Sequence, residues 1–170
     1  MTLVTVVMPV YEAQDTLAAS IDGVRGQTFE DWHLVCVDDA SSDRSAAIVE
    51  EAAAQDPRIE LVRLPGRSGA AVARNTAIER SRGRYVAFCD ADDIWLPGKL
   101  EAQLEHARAT GSPLTFTAYA KIHGSDPVTS GEWRGSERIV HARDRVTYKD
   151  LRLENFIGCS TAMYDTEVFG

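Results

Sequence analysis

Short runs of consecutive apolar residues recur through the first half of the chain and predict the strands of a buried sheet. Four such runs, enriched in β-branched residues, occupy residues 3–8, 33–37, 59–64 and 85–89. Runs of this length without polar alternation are typical of strands covered on both faces, as in a parallel sheet. The pattern therefore favours strands that lie between two layers of helices.

Segments of helical length separate these runs, at residues 13–25, 42–55, 68–82 and 97 to about 110. Ser and Asp residues precede the second helix. Ser68 is a candidate N-cap of the third helix, with Gly83 as its stop, and Pro97 suits the first position of the fourth. Strand and helix alternate four times, which predicts a right-handed, doubly wound α/β fold with a mostly parallel sheet.

The pattern weakens after residue 111. We expect a strand at residues 114–119, a surface loop or hairpin at 124–135, a short helix at 147–153 and a last strand at 160–164. Residues 167–170 include two large apolar side chains and no polar tail, so we expect a domain that is cut short at its C-terminus. An apolar sheet face exposed there would favour self-association.

The bulk composition indicates one ordinary globular domain spanning residues 1–170. The net charge is −8 and no basic run is present, so the electrostatic footprint of a nucleic-acid-binding protein is missing. No run approaches the roughly 20 apolar residues of a membrane span, and the N-terminus lacks the features of a signal peptide. Because Cys36, Cys89 and Cys159 show neither metal nor disulfide spacing, we expect buried, reduced thiols of a cytoplasmic protein.

Polar clusters directly follow three of the predicted strands. They are Pro9-Val10-Tyr11-Glu12, Asp38-Asp39-Ala40-Ser41-Ser42-Asp43 and Asp90-Ala91-Asp92-Asp93. Each cluster alone has a structural explanation as a turn or a helix cap. Parallel strands, however, place their C-terminal loops side by side, and ligands of open α/β sheets bind there, at the topological switch point. Together the clusters predict a ligand site at this edge of the sheet.

The acidic cluster at residues 90–93 indicates the chemistry of that site. Three carboxylates within four residues repel one another, and a divalent cation (Mg²⁺ or Mn²⁺) would offset the repulsion. Mg²⁺ is typically held by one or two carboxylates together with substrate phosphates. A protein of net charge −8 also needs a cation or local basic groups to bind a diphosphate. The cluster therefore predicts metal-assisted chemistry on a nucleotide diphosphate, with a solvated acidic turn as the alternative.

Four ordered stretches of the chain resemble family 2 glycosyltransferases with the GT-A fold. They are residues 6–12 (VVMPVYE), 37–43 (VDDASSD), 69–78 (GAAVARNTAI) and 83–93 (GRYVAFCDADD). The resemblance is strongest up to residue 110 and looser over 111–170, which would begin the acceptor-side half. Within that half, residues 155–164 are similar to the segment that precedes the family's catalytic loop.

The resemblance implies roles for individual residues. Nucleotide binding is implied for Pro9, Val10, Tyr11, Glu12, Asp39, Arg67, Asp90 and Ala91. Asp39 would accept a hydrogen bond from the base edge, Asp92 would be the principal metal ligand, and Asp90 would lie near the ribose and the metal. Supporting roles in and around the acidic loop are implied for Arg74, Asn75 and Asp93.

The implied reaction is transfer of a sugar, with inversion, from a nucleotide-diphospho-sugar to an acceptor hydroxyl in cell-envelope polysaccharide synthesis. Uridine is the favoured base, and the acceptor is a saccharide or is lipid-linked. The cation would neutralise charge on the departing diphosphate, and a carboxylate would take the acceptor proton. The family places that base in a later loop, so we expect it beyond Gly170. We expect a cytoplasmic location, peripheral at the inner membrane face for a lipid-linked acceptor.

Two other functions remain open on the sequence. A sugar-phosphate nucleotidyltransferase would share the α/β architecture and the metal, but residues 9–13 offer no basic group to activate a triphosphate. A non-catalytic nucleotide-binding fragment of a larger or split transferase is the second. His123 and His141 are candidate ligands across the cleft, although they lack ligand spacing. Trp95 and Leu96 either shape a pocket or pack at a helix start.

Overall fold

The computed structural model describes residues 3–121, 139–152 and 155–169. The strands are β1 (Val4–Val10), β2 (Trp32–Asp38), β3 (Ile59–Arg63), β4 (Tyr85–Phe88), β5 (Leu114–Phe116), β6 (Tyr119–Ala120), β7 (Ile139–Val140) and β8 (Ala162–Asp165). The helices are α1 (Leu17–Arg25), α2 (Ser45–Gln55), α3 (Ala70–Glu79), α4 (Lys99–Thr110), α5 (Tyr148–Leu151) and α6 (Thr166–Phe169). None of these helices is long and apolar enough to cross a membrane.

Six strands form one sheet in the order β3-β2-β1-β4-β8-β5. The first four are parallel to one another, whereas β8 runs antiparallel to both β4 and β5. β6 and β7 pair separately as an antiparallel ladder. The chain moves outward from β1 to β3 and then returns to the other side of β1 at β4, so β1 and β4 flank a topological switch point. The prediction of a mostly parallel α/β sheet is confirmed.

Alternate residues of β1 face two separate hydrophobic cores. Val6 and Met8 belong to the larger core, which the buried residues of α1, α2 and α4 complete. Val7 belongs to the smaller core on the other face, where α3 contributes Ala73 and Ala77. Successive side chains of a strand point to opposite faces, so a strand covered on both sides reads as one continuous apolar run. Helices on both faces confirm the doubly wound arrangement.

Some helix starts differ from the sequence-based expectation because tertiary contacts override local signals. Helix α1 begins at Leu17 and not at Ala13, and the backbone N–H of Ala13 donates to Ser45 Oγ at 2.8 Å. Ser68 is not the cap of α3, because Gly69 takes that position with φ 92°. The helix also ends at Glu79, before the expected stop. Helix α4 begins at Lys99, two residues after the proline.

The second half of the chain departs further from expectation. The single strand expected at residues 114–119 is wrong: β5 joins the main sheet and β6 joins the small ladder. The last strand begins later than predicted, because a 3-10 turn at Cys159–Thr161 precedes β8. The expected helix at 147–153 is present as Tyr148–Leu151. The loop expected at 124–135 lies outside the described residues.

Gly83 lies against the start of β1, so its replacement by alanine is expected to destabilise the domain. A Cβ at this position would lie 2.8 Å from Leu3 O and 2.9 Å from Thr5 N. Both are backbone atoms of β1 or its start, so relieving the clash would require the backbone to shift. We expect Gly83→Ala to lower the free energy of unfolding by about 2–3 kcal/mol, measured by urea denaturation. Gly98→Ala is the matched control, because a Cβ there meets nothing within 4 Å. Equal midpoints for the two variants would contradict this packing.

Candidate functional site

A cleft of about 300 Å³ opens at the C-terminal ends of the parallel strands, at the switch point between β1 and β4. Its lining comes from Pro9, Val10, Tyr11, Glu12, Ala13, Thr16, Asp39, Ala70, Ala73, Arg74, Asp90, Ala91 and Asp92. All three polar clusters identified in the sequence contribute to this lining. The in-register pairing of β1 with β2 and with β4 explains why, since it brings their following loops to one edge. The predicted location of a ligand site is thus a single cleft in the structure.

Hydrogen bonds join the loop after β1 to the loop after β2. Glu12 adopts a positive φ of 47°, and its Oε1 accepts hydrogen bonds from the backbone N–H of Ser42 at 2.7 Å and from the Ser42 hydroxyl at 2.9 Å. The backbone N–H of Glu12 in turn donates to Ser41 Oγ at 3.2 Å. The Glu12 carboxylate therefore holds the two loops together at the cleft wall, a role the sequence did not indicate.

Tyr11 and Arg67 form the outer rim of the cleft. The Tyr11 side chain is 40% exposed, and the Arg67 guanidinium lies over its ring at 4.3 Å from the centroid. Arg67 is not part of the cleft lining. The pair presents a flat aromatic face backed by a cation, which suits a planar ring or a phosphate carried by a ligand.

Asp39 is almost fully buried and anchors the start of α3. Its carboxylate accepts hydrogen bonds from the backbone N–H groups of Ser68 at 2.6 Å and Gly69 at 2.7 Å. The N–H of Gly69, the cap residue of α3, is among the donors that a helix start leaves without intrahelical partners, and a carboxylate there is favourable. Asp39 also lines the cleft. Because an ionised carboxylate has about four acceptor positions, it can hold the helix and still accept from a ligand.

The acidic loop after β4 combines one neutralised and one free carboxylate. Arg74 Nη2 forms a salt bridge with Asp90 Oδ1, as its place on α3 opposite the loop allows. The backbone N–H of Asp90 donates to Ser160 Oγ at 2.8 Å. Asp92 is exposed and lines the cleft, and in the described part of the chain its carboxylate takes part in no ion pair. The negative charge available to a ligand is therefore centred on Asp92.

Asp93 faces a different environment from Asp92. Desolvation raises the pKa of the Asp93 carboxyl, a contact with Ser160 lowers it, and the charges of Asp92 and Asp90 raise it further. Its absence from the cleft lining separates it from the other two acidic residues. This placement agrees with a supporting position in the loop.

Some residues that line or brace the site were missed in the sequence. Thr16 Oγ1 donates to the backbone carbonyl of Ala91 at 2.9 Å and so ties the start of α1 to the acidic loop. Ser160 bonds to Asp90, and its carbonyl accepts from Trp95 Nε1 at 2.9 Å. Nothing local marks Thr16. The similarity of residues 155–164 to the family was the signal that could have led to Ser160.

Other expected residues lie away from the cleft. Asn75 is exposed and does not line the cleft, because one residue along a helix turns a side chain by about 100° from its neighbour Arg74. Leu96 is exposed, whereas Trp95 is buried in the larger core. His141 is exposed outside the cleft lining, and His123 lies outside the described residues.

The cysteine prediction is partly wrong. Cys36 and Cys89 are free and buried, as expected, but Cys159 is exposed. It begins the 3-10 turn before β8, at the protein surface rather than within a strand. Burial raises the pKa of Cys89 well above its ordinary value, so this thiol stays protonated.

The chemistry of Asp90 and Asp92 fits a divalent cation that a ligand helps to hold. Within residues 3–121, 139–152 and 155–169, no group of three or more His, Cys, Asp or Glu side chains could hold a metal by itself. Mg²⁺ and Mn²⁺ commonly use one or two carboxylates and take further oxygens from substrate phosphates and water. Two acidic residues lining one cleft match that requirement, whereas an all-protein cage would not form here.

The fold and the cleft define a GT-A-type glycosyltransferase domain. Among solved structures, the chain superposes on S. aureus TarS 1–349 in complex with UDP, with a TM-score of 0.73, 20% identity, and coverage of 98% of this chain and 48% of that one. It also superposes on the mannosyltransferase PcManGT from Pyrobaculum calidifontis in complex with GDP-Man and Mn²⁺, with a TM-score of 0.66, 23% identity, and coverage of 98% and 45%. At these identities the likeness establishes the fold.

Sequence relationships establish the family. The profile described as Glycosyl transferase family 2 matches residues 5–169, and the chain belongs to this family. A Bacillus subtilis protein named as a teichuronic acid biosynthesis glycosyltransferase, TuaG, is 38% identical over 99% of the chain and 64% of its own length. The Escherichia coli UDP-Glc:alpha-D-GlcNAc-diphosphoundecaprenol beta-1,3-glucosyltransferase WfgD is 37% identical over 96% of the chain. The chain spans 60% of the length of WfgD.

Proposed function

We propose that this chain binds the donor in a metal-dependent, inverting glycosyltransferase that moves a sugar from a UDP-linked donor to an acceptor hydroxyl. The observation that carries the proposal is the convergence of Asp39, Asp90 and Asp92 in one cleft at the switch point between β1 and β4. A nucleotide diphosphate needs a pocket for its base and a counter-charge for its phosphates. This cleft offers hydrogen-bond acceptors for the base and a position for a cation beside the phosphates.

Related proteins support the donor class more strongly than the base. TarS is described with UDP and the name of WfgD specifies UDP-Glc, whereas PcManGT is described with GDP-Man and Mn²⁺. Uridine is favoured because WfgD is the nearer of these in sequence identity. The Mn²⁺ in PcManGT agrees with the oxygen donors available at Asp90 and Asp92.

The residues of this chain divide the work of donor binding. Asp39 accepts from the base edge, and Tyr11 provides a stacking face at the rim. Asp92 and Asp90 would hold a divalent cation, which would supply charge neutralisation for the diphosphate leaving group. Arg74 holds Asp90 in position through its salt bridge. The backbone of Ala91, fixed by Thr16, sets the spacing between the two carboxylates.

Inversion requires a carboxylate that takes the acceptor proton, and the acidic residues near the end of the chain are poorly placed for this role. Asp165 pairs with Tyr85, at the start of β4 and so at the opposite edge of the sheet from the acidic loop. Its carboxylate accepts from Arg84 Nη2 at 2.8 Å, and Glu167 shares the same guanidinium. We therefore assign the role to neither residue, and we propose that the base comes from a part of the enzyme outside the residues that the structure describes.

The names of two relatives support a proposal for the acceptor. TuaG is named for teichuronic acid biosynthesis and WfgD for a diphosphoundecaprenol-linked acceptor. We propose a saccharide or lipid-linked acceptor in cell-envelope polysaccharide synthesis, and a cytoplasmic enzyme that works peripherally at the inner membrane face. Copurification with membrane vesicles that carry a polyprenyl-diphosphate sugar, but not with plain vesicles, is the expected result.

Self-association through the exposed Val168 and Phe169 is proposed as well, and sedimentation velocity tests it.

Donor binding is testable on the chain itself. Isothermal titration calorimetry with UDP is expected to show binding in the presence of Mn²⁺ and none after EDTA, because Asp90 and Asp92 would hold the cation and the cation would neutralise the charge of the diphosphate. Absence of metal-dependent binding to UDP, GDP and TDP alike would contradict the proposal. Sugar transfer measured in parallel separates two functions: turnover indicates a complete catalytic unit, and binding without turnover indicates a donor-binding fragment.

A further inference from the structure

Lys99, the partly buried first residue of α4, packs its side chain against Trp95 and Gln103. Its Nζ lies 3.8 Å from the centroid of the Trp95 ring and donates to Gln103 Oε1 at 2.7 Å. Both partners are buried, at 4% and 3% exposure. Desolvation lowers the pKa of the Lys99 ammonium to about 7. A lysine on the first turn of a helix could reach solvent, so its inward position calls for a physical reason.

The partners of Lys99 connect it to the proposed donor site. Trp95 Nε1 donates to the carbonyl of Ser160 at 2.9 Å, and Ser160 Oγ accepts from the backbone N–H of Asp90 at 2.8 Å. On the other side, Gln103 Nε2 donates to the carbonyl of Thr161 at 3.0 Å. The contacts form a closed circuit that joins the acidic loop, the first turn of α4 and the segment before β8.

The charge in this circuit is a poor choice for stability alone. A methionine of similar length would fill the same space against Trp95 without desolvating an ammonium group. Groups that cost stability and sit beside a site are candidates for function rather than for packing. The cation strengthens the contact with the indole face, which is electrostatically negative, and its hydrogen bond fixes the Gln103 amide.

We propose that Lys99 is a positioning residue for the donor site, whose cation holds Trp95 and, through Ser160, the backbone of Asp90 where the acidic loop can take a cation and a diphosphate. This inference rests on the proposed function. It adds a requirement that the acidic loop alone does not show: donor binding depends on a charged group behind the cleft. Among the described residues, the titratable neighbour that faces Lys99 is Cys89, directly after β4, and its buried thiol stays neutral.

The inference predicts a dependence of binding on pH that belongs to Lys99. Because desolvation lowers the pKa of Lys99 to about 7, we expect the ammonium to lose its charge as the pH rises through that value. Affinity for UDP with Mn²⁺ should therefore be greatest below this value and fall as the pH rises through it. The protonation of UDP and the hydrolysis of the metal ion also change with pH. The quantity to compare is therefore the ratio of the wild-type affinity to the variant affinity at each pH.

The test is calorimetry with UDP and Mn²⁺ on the wild type, Lys99→Met and Lys99→Arg. At about pH 6 we expect Lys99→Met to bind roughly tenfold more weakly than the wild type, and at about pH 8 we expect the two affinities to converge. Lys99→Arg keeps its charge, so it should match the wild type at the lower pH and exceed it at the higher. Lys149→Met, an exposed lysine of α5, is the matched control and should bind as the wild type at both values.

Thermal unfolding separates positioning from packing. Removal of a desolvated charge should leave the Tm of Lys99→Met equal to or above that of the wild type, while binding weakens. The inference is overturned if Lys99→Met binds as the wild type at the lower pH, or if the affinity ratio stays constant with pH. If Lys99→Met does not fold, the affinities of the wild type and Lys99→Arg are compared instead. A ratio of these two affinities that does not change with pH overturns the inference. A wild type that binds no nucleotide instead overturns the proposed function, and this inference with it.

Discussion

Asp92→Asn is expected to weaken Mn²⁺-dependent binding of UDP by about 100-fold or more, since even outer-shell partners of metals are worth about 10–100-fold. Asp92 and Glu12 are the acidic residues of the cleft that are exposed and outside any ion pair among the described residues, and Glu12 is already hydrogen-bonded to Ser42. Asparagine keeps the shape but removes the charge that draws a hard cation. In a protein of net charge −8, the diphosphate then meets uncompensated repulsion. Calorimetry with UDP and Mn²⁺ measures the loss.

Asp31→Asn is the matched control for this change. It removes the same charge from an exposed residue just before β2, at the opposite edge of the sheet from the cleft. We expect its affinity to equal that of the wild type and the thermal stability of both variants to stay unchanged. If Asp92→Asn binds UDP and Mn²⁺ as tightly as Asp31→Asn does, the assignment of the metal position is wrong.

Asp39→Asn is expected to lower both stability and nucleotide affinity. The native carboxylate accepts from the backbone N–H groups of Ser68 and Gly69 at the start of α3. An amide presents one oxygen, so its NH₂ group would face one of these donors and leave it unpaired. The cost is about 2–3 kcal/mol, which lowers the Tm by about 4–12 °C for a domain of this size. Thermal unfolding followed by circular dichroism measures the change.

The two effects of Asp39→Asn can be separated. Saturating UDP with Mn²⁺ should raise the Tm of the wild type more than that of the variant, because the variant loses the base contact as well as the helix anchor. Asp31→Asn again serves as the control, since it lies at the other end of the same strand. An equal rise for wild type and Asp39→Asn would show that Asp39 anchors α3 without contacting the nucleotide.

Where a signal was local, the sequence predicted the structure well. Continuous apolar runs gave the four parallel strands, and the polar clusters after them gave the location of the cleft. Where the signal was tertiary, prediction failed. Ser68 has the composition of a helix cap, yet its backbone N–H donates to Asp39 and the helix begins after Gly69. Thr16 and Lys99 look like ordinary helix residues in the sequence. Their contacts with the Ala91 carbonyl and the Trp95 ring arise only because the fold brings these groups together.

The amino-acid sequence by itself determined the class of fold, the family and the edge of the sheet at which the cleft lies. Hydrophobic periodicity is a short-range property, and parallel strands necessarily bring their C-terminal loops together. The tertiary structure alone decided how the acidic residues differ. Asp90 is neutralised by Arg74, Asp39 is tied to α3, and Asp92 remains available to a cation. These carboxyl groups are chemically identical, but each has different neighbours in space. Those neighbours are distant along the chain, so only the folded structure decides the charge and burial around each carboxylate.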